Sequence, residues 1–227
     1  LKDIVCHVDS CTLTSELTDQ YSSMLLSGRS IMISYQAMDV TTQYLANTGG
    51  SYTLNLAKQF TRLDTVFCSL DQEEIAVAAD NVSIQNRHIN KFYLPAASAG
   101  TIESYIQINN KRWGDHNTVG APQHLNRLLR TIGTLGSLAH STNLNAQSYG
   151  CDERTTAIAG NNFSIGFDLE KVASASASGE NVSTGGMISI HLKNVGTDAA
   201  TAPTRAHIVA VHSAVLELKD TGCFVYS

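Results

Sequence analysis

A chain of 227 residues with 43% hydrophobic content can bury about 70–75% of the surface its unfolded form exposes, so it needs neither disulfides nor a metal to hold a core. Charged residues make up only 15%, against ~25% in ordinary globular domains, with Ser, Thr, Asn, Ala and Gly in their place; so weakly charged a surface suits a subunit packed against neighbours. The net charge is a mild −5 and the fifteen Lys and Arg are scattered, apart from Lys111-Arg112 and Arg127/Arg130, which argues against sequence-specific groove binding to nucleic acid.

The first periodic segment places Leu13, Leu17, Tyr21, Met24 and Leu25 at helical spacing, with Glu16 in the first turn and Gly28 positioned to end it. This predicts a short amphipathic helix over about 14–26. Next, "SIMISYQ" (Ser30 to Gln36) and "DVTTQYLA" (Asp39 to Ala46) turn to β-branched and aromatic content, read as two strands before Gly49-Gly50. From Ser51 to Asp71 the chain alternates: Tyr52, Leu54 and Leu56 share one face, then Val66, Cys68 and Leu70 another. "TIESYIQINNKRW" alternates again, with Ile102, Ser104, Ile106 and Ile108 opposite Glu103, Tyr105 and Gln107, and the single Trp113 follows directly.

Between Ala121 and Ser141 the period changes, because Leu125, Leu128, Leu129, Ile132, Leu135 and Leu138 recur at steps of three and four, with Pro122 suited to a first helical turn. Gly133 and Gly136 would each cost about 1 kcal/mol against Ala in a helix. A helical insertion over about 122–138 is expected, firm to Thr131 and looser beyond, lying over a sheet edge or a neighbouring subunit. Strand patterns return in "NFSIGFDLE" (Asn162 to Glu170), "GMISIHLKNV" (Gly186 to Val195), "RAHIVAVHSAVLELKD" (Arg205 to Asp220) and "CFVYS" (Cys223 to Ser227). Short strands separated by polar loops, with two short helices between them, point to an all-β antiparallel sandwich.

"VASASASGENVSTGG" (Val172 to Gly186) has the composition of a flexible interdomain linker. From Met187 only 41 residues remain, about three strands, which is marginal without a partner sheet. The stretch Ala173 to Gly185 is therefore expected to be a long exposed loop inside one sandwich, and 1–227 a single domain.

Chemistry-bearing residues form few constellations. Cys6, Cys11, Cys68, Cys151 and Cys223 are odd in number and lack CxxC spacing, so reduced thiols made in an intracellular compartment are expected. "CHVDSC" (Cys6 to Cys11) could be half a zinc site, but no second half accompanies it, and His116 and His124 read as surface polar contacts; no metal site is expected. His207 and His212, five apart on one strand, point to opposite faces.

No GxSxG occurs, and the same-face pair Asp168 and Glu170 is expected to be solvent-facing or salt-bridged, so neither nucleophilic nor glycosidase chemistry is expected and no catalytic residue is assigned. Sequons at Asn81, Asn162 and Asn181 match a pattern that an Asn- and Ser-rich chain produces by chance, and glycosylation is not expected. "NNKRWGDH" (Asn109 to His116) joins cations, an aromatic and an acid at a strand end; with Trp113 as anchor it is a candidate subunit contact, as are Leu128 and Leu129 on the helical insertion. No apolar run approaches the ~20 residues of a membrane span, the start lacks a signal-peptide order, and a chain beginning at Leu1 is expected to be part of something longer.

The order of phrases "LTDQYSSMLLSGRSIMISYQ", "FTRLDTVFCSL", "GNNFSIGFDLEK", a loop, "GGMISIHLKN" and "AHIVAVHSAVLELKDTG" resembles one jelly roll of the double jelly-roll major capsid proteins of double-stranded DNA viruses, of the polinton, polinton-like virus and virophage type. Its closing part falls on Phe167-Asp168-Leu169, on Gly186 with Ile188, Ile190 and Leu192, and on Ile208 to Leu218. Lys193-Asn194 stands where related proteins tend to have an aromatic.

The resemblance implies a jelly-roll sandwich, here the C-terminal jelly roll of a longer capsid protein, since 227 residues are too few for two. It implies a structural subunit of the virion, not an enzyme, without cofactor. Its implied partners are the other copies of a homotrimer, neighbouring capsomers, and minor capsid or penton proteins of an icosahedral shell. The alternative is a jelly-roll carbohydrate-binding, lectin-like module, which wants exposed aromatics over a sheet or loops; the weakest alternative is a sandwich-fold glycosidase.

Overall fold

The computed structural model describes residues 9–46, 50–71, 94–95, 98, 100–135, 144–149, 158–160, 163–170, 179–183, 186–196 and 203–227. They fall into two compact units. The smaller combines the chain up to Tyr35 with Ala214–Tyr226, and the larger runs from Gln36 to Ser213.

In the smaller unit, helix α1 spans Ser15–Leu26 and stops where Gly28 takes φ +77°, its N–H bonded to the Leu25 carbonyl at 3.0 Å. Only glycine adopts that left-handed conformation at no steric cost. No residue of α1 is buried. Strand β11 (Gly222–Tyr226) pairs antiparallel with the end of β10 (Arg205–Lys219), Leu216 opposite Val225. Phe224, Val225 and Tyr226 are all exposed.

Strand β1 is continuous over Ile31–Tyr44, where two strands were expected. Ala37-Met38 has no turn chemistry to break it, and alternation persists through Asp39 and Thr41. The larger unit adds β2 (Gly50–Leu56), β3 (Leu63–Asp71), β5 (Glu103–Ile108), β6 (Lys111–Val119), β8 (Ser164–Asp168) and β9 (Ile188–Val195), with a short pair of β4 (Leu94–Pro95) and β7 (Ile158–Gly160). One sheet is ordered β1-β10-β3-β8 with β11 on β10, and the other β2-β9-β5-β6. Among described strands the chain passes from sheet to sheet between β1, β2, β3 and β5, and again between β6, β8, β9 and β10. That double Greek-key exchange is a jelly roll, as the resemblance implied.

The core lies between the inner faces, and the alternation read in the sequence predicts it. Leu54 stands opposite Ile190, and Ile190 opposite Ile106, in one sheet; Val66 is flanked by Phe167 and Ala210 in the other, all fully buried or nearly so. Each such aliphatic or aromatic side chain contributes about 1.5–3 kcal/mol by leaving water.

The run through Trp113 is not one strand but a hairpin. Asn109 and Asn110 take φ 54° and 63°, the two positive values of a tight two-residue turn, which Asn tolerates better than other side chains. Helix α2 follows β6 directly over Gly120–Thr131 and ends at Gly133, φ +78°; residues 132–135 turn away, and 136–138 lie outside the described residues. A final short helix, α3, spans Ala146–Tyr149.

The linker-like stretch is described at 179–183. There Leu63 and Glu180 exchange two backbone hydrogen bonds at 2.9 Å, Val182 N–H donates to the Phe60 carbonyl, and Val182 is fully buried. This part is laid against the β2–β3 connection and is not the exposed loop expected. Strands β8 and β9, on either side of it, lie in the same unit.

Candidate functional site

The chemistry-bearing side chains of the larger unit gather where β6, α2 and β8 meet. α2 packs on β8 so closely that a Cβ on Gly166 would stand 2.9 Å from Thr131 Oγ1 and 3.2 Å from Leu128 Cδ1. A fully buried polar pair holds the helix start: His124 Nδ1–H donates to the Gly120 carbonyl at 2.7 Å, leaving Nε2 to accept the Ser104 hydroxyl at 2.8 Å. Burial first, then the Arg127 charge, pushes the imidazole pKa down to about 4, against an opposing bond to Gly120. His124, expected at the surface, is 1% exposed because its own helix turn and a strand serine supply both partners.

Trp113 is half-buried, packs against the core, and donates its indole N–H to the Asp168 carbonyl at 3.1 Å, tying β6 to β8. Leu128 is 3% exposed in the core and has little surface to offer a neighbour; Leu129 is half-buried. Asn181 is exposed, and its Oδ1 accepts the backbone N–H and the hydroxyl of Ser183 at 2.9 and 2.6 Å, a local turn; Asn81 and Asn162 lie outside the described residues.

Asp168 and Glu170 line a hollow of about 250 Å³ with Trp113, Gly114, Arg127 and Arg130. Asp168 Oδ1 is turned back to accept the Glu170 backbone N–H at 3.0 Å. Both acids are half-buried at the wall of this hollow, and neither is within ion-pairing distance of a cation among the described residues, so of the two expected states the salt-bridged one is not found. Partial burial and the Asp168 and Asp64 charges raise the Glu170 carboxyl above its ordinary value.

A second hollow, of about 430 Å³, opens on the other side of Arg127 and Arg130, between α2 and β6. In the sequence Lys111-Arg112 and Arg127/Arg130 stand out only as departures from scattered charge. What brings Arg112 near the helix arginines is the direct passage of β6 into α2.

On the outer face of the second sheet, Tyr105 stacks on His191 with centroids 4.5 Å apart and carries the Arg112 guanidinium 4.9 Å from its ring centre. Its neighbours on both sides occupy it, unlike an open aromatic platform for a sugar. His207 bonds Thr42 at 3.0 Å, whereas His212 is 4% exposed beside the Phe60 ring, so the two do point apart. Cys11 is exposed, and Cys6 and His7 lie outside the described residues. Among the described residues no three His, Cys, Asp or Glu side chains are grouped to hold a metal, and no helix is long and apolar enough to cross a membrane.

Large apolar side chains stand exposed along the edge strand β1. In the larger unit these are Met38 (71%), Val40 (63%) and Tyr44 (73%), spaced by even steps and therefore on one face. In the smaller unit Leu13, Leu17 and Tyr21 of the α1 segment are exposed at helical spacing. The helical spacing of Leu13, Leu17 and Tyr21 is legible in the sequence as an apolar face, whereas the face of Met38, Val40 and Tyr44 is not, and neither is seen there to be uncovered.

No protein-family model matches the chain, and no curated protein does. Solved structures do. One chain of the 3.5 Å cryo-EM structure of the Sputnik virophage aligns with 86% of this chain and 38% of its own length, at TM-score 0.51 and 13% identity. A chain of the quasi-atomic PBCV-1 virus capsid aligns with 92% of this chain and 54% of its own, at TM-score 0.51 and 10% identity. PBCV-1 VP54, fitted into a reconstruction of Sputnik, aligns with 95% and 55%, at 0.53 and 10%.

The likeness is one of fold. It establishes the jelly-roll sandwich, and this chain spans about half the length or less of the chains it matches.

Proposed function

We propose that the protein is a structural subunit of a viral shell, one jelly roll of a major capsid protein of the double jelly-roll kind. The observation that carries this reading is the jelly-roll alignment, over nearly the whole chain, with chains from Sputnik and the PBCV-1 capsid. Supporting it, the β1 face bearing Met38, Val40 and Tyr44 is an uncovered apolar stripe on an edge strand, which a chain working alone pays for in aggregation.

In this reading copies of the chain associate as homotrimers and the trimers tile an icosahedral shell in the virion, with Trp113, Leu129 and the β1 face as contact candidates. The role is mechanical and uses no cofactor and no catalytic residue. Electron microscopy of the purified protein tests it. Three-fold particles or closed shells are expected, and dispersed monomers would count against it.

A further inference from the structure

Arg127 and Arg130 stand three residues apart on α2 and both line the 430 Å³ hollow against β6. Like charges at that spacing cost a helix a few tenths of a kcal/mol. Arg130 at least sits in the last turn, where the helix dipole favours a cation; Arg127, one turn earlier and half-buried, does not. A third guanidinium approaches from the strand, since Arg112 donates to Asn117 Oδ1, and Asn117 lines the same hollow. Burial, and then the charges of Arg130 and Arg112, hold the Arg127 guanidinium below the usual arginine value.

No ion pair among the described residues closes this cluster, although Asp168 and Glu170 line the neighbouring hollow with the same two arginines. Among the described residues no carboxylate lies within 4 Å of the Arg112, Arg127 or Arg130 guanidinium, although Asp115 lines the hollow. Glu103, the nearest acid in the network, accepts from Asn117 Nδ2 at 2.9 Å and so fixes the amide that Arg112 holds. Clustered guanidinium forks match the several oxygens of a tetrahedral oxyanion.

We infer that the hollow between α2 and β6 is a phosphate-type oxyanion site, with Arg127 and Arg130 as ligands and the charge of Arg112 adding to the positive field. It holds one compact anion. The cations form one local group and not a track along the surface, and the inference stands whether or not the protein builds a shell.

The test is calorimetric titration of the purified protein with inorganic phosphate, with tripolyphosphate and with a single-stranded oligonucleotide, each at fixed ionic strength set by chloride. Saturable phosphate or tripolyphosphate binding is expected, weakened about ten-fold or more in Arg127→Gln and in Arg130→Gln. Lys193→Gln, exposed on β9, should leave it unchanged. Arg130 is exposed, so its variant keeps the test valid if Arg127→Gln misfolds. Oligonucleotide binding lost in the same variants would assign the phosphate to a nucleic acid, and its absence to a free ion. Heat no greater than chloride gives, binding unchanged in both arginine variants, or equal binding of succinate would overturn the inference.

Discussion

Ser104 and His124 meet at 2.8 Å in the interior and join the second sheet to the start of α2. The imidazole must stay neutral to accept that hydroxyl, and its pKa is about 4 against an ordinary 6.5. The unfolded chain therefore binds the proton more readily than the folded one. The resulting stability is fully present above about pH 6.5 and is lost as pH falls toward 4, a difference on the order of 3 kcal/mol. Urea midpoints at pH 7 and pH 4.5 should differ more in the wild type than in His124→Gln, and equal pH slopes would refute the account of this pair.

Gly166 is where α2 touches β8. A methyl there would meet Thr131 and Leu128 at about 3 Å and push the helix off the strand. Gly166→Ala should lower stability by about 1–3 kcal/mol through overpacking, although it adds apolar surface. Thermal denaturation measures this. A variant as stable as the parent would mean that α2 does not hold to β8 this tightly.

Leu128 and Leu129 are neighbours with different duties. Leu128→Ala opens a cavity in the core and should cost about 3 kcal/mol, whatever the state of assembly. Leu129→Ser removes a half-buried side chain and should change stability by less than about 1 kcal/mol while weakening association. Denaturant titration and sedimentation together separate the two effects.

How much of this was legible beforehand can be judged from particular residues. The alternation Tyr52-Leu54-Leu56 and Ile102-Ser104-Ile106-Ile108 located strands and inner faces, because burial on one side of a sheet imposes a period of two. The same rule hid the hairpin. Asn109-Asn110 follows the alternating residues of β5 and reads as a strand end, although paired Asn at a sharp reversal is the signal for a hairpin. Ser104 looked like a gap in an apolar face and His124 a surface group; each explains the other only once β5 and α2 are side by side. The arginine cluster was out of reach for the same reason, since Arg112 and Arg127 are distant in sequence and meet only through the β6–α2 connection.

Cys68 is fully buried, and burial pushes its thiol pKa up to about 12, whereas Cys11 and Cys223 are exposed. The thiolate is the reactive species, so Cys68 should resist alkylation in the folded protein while Cys11 and Cys223 react readily. Mass spectrometry after a brief maleimide pulse, with and without urea, reads this directly. Labelling of Cys68 at the rate of Cys223 without urea would show that the β3 core is open.

If this jelly roll builds a shell, the mass of the purified protein in solution reveals it. Light scattering behind a sizing column should return a stable trimer or a larger assembly, with the uncovered face of Met38, Val40 and Tyr44 closed to solvent within it. A monomer that stays monomeric at high concentration and binds glycans on an array would contradict the claim in favour of a lectin-like module.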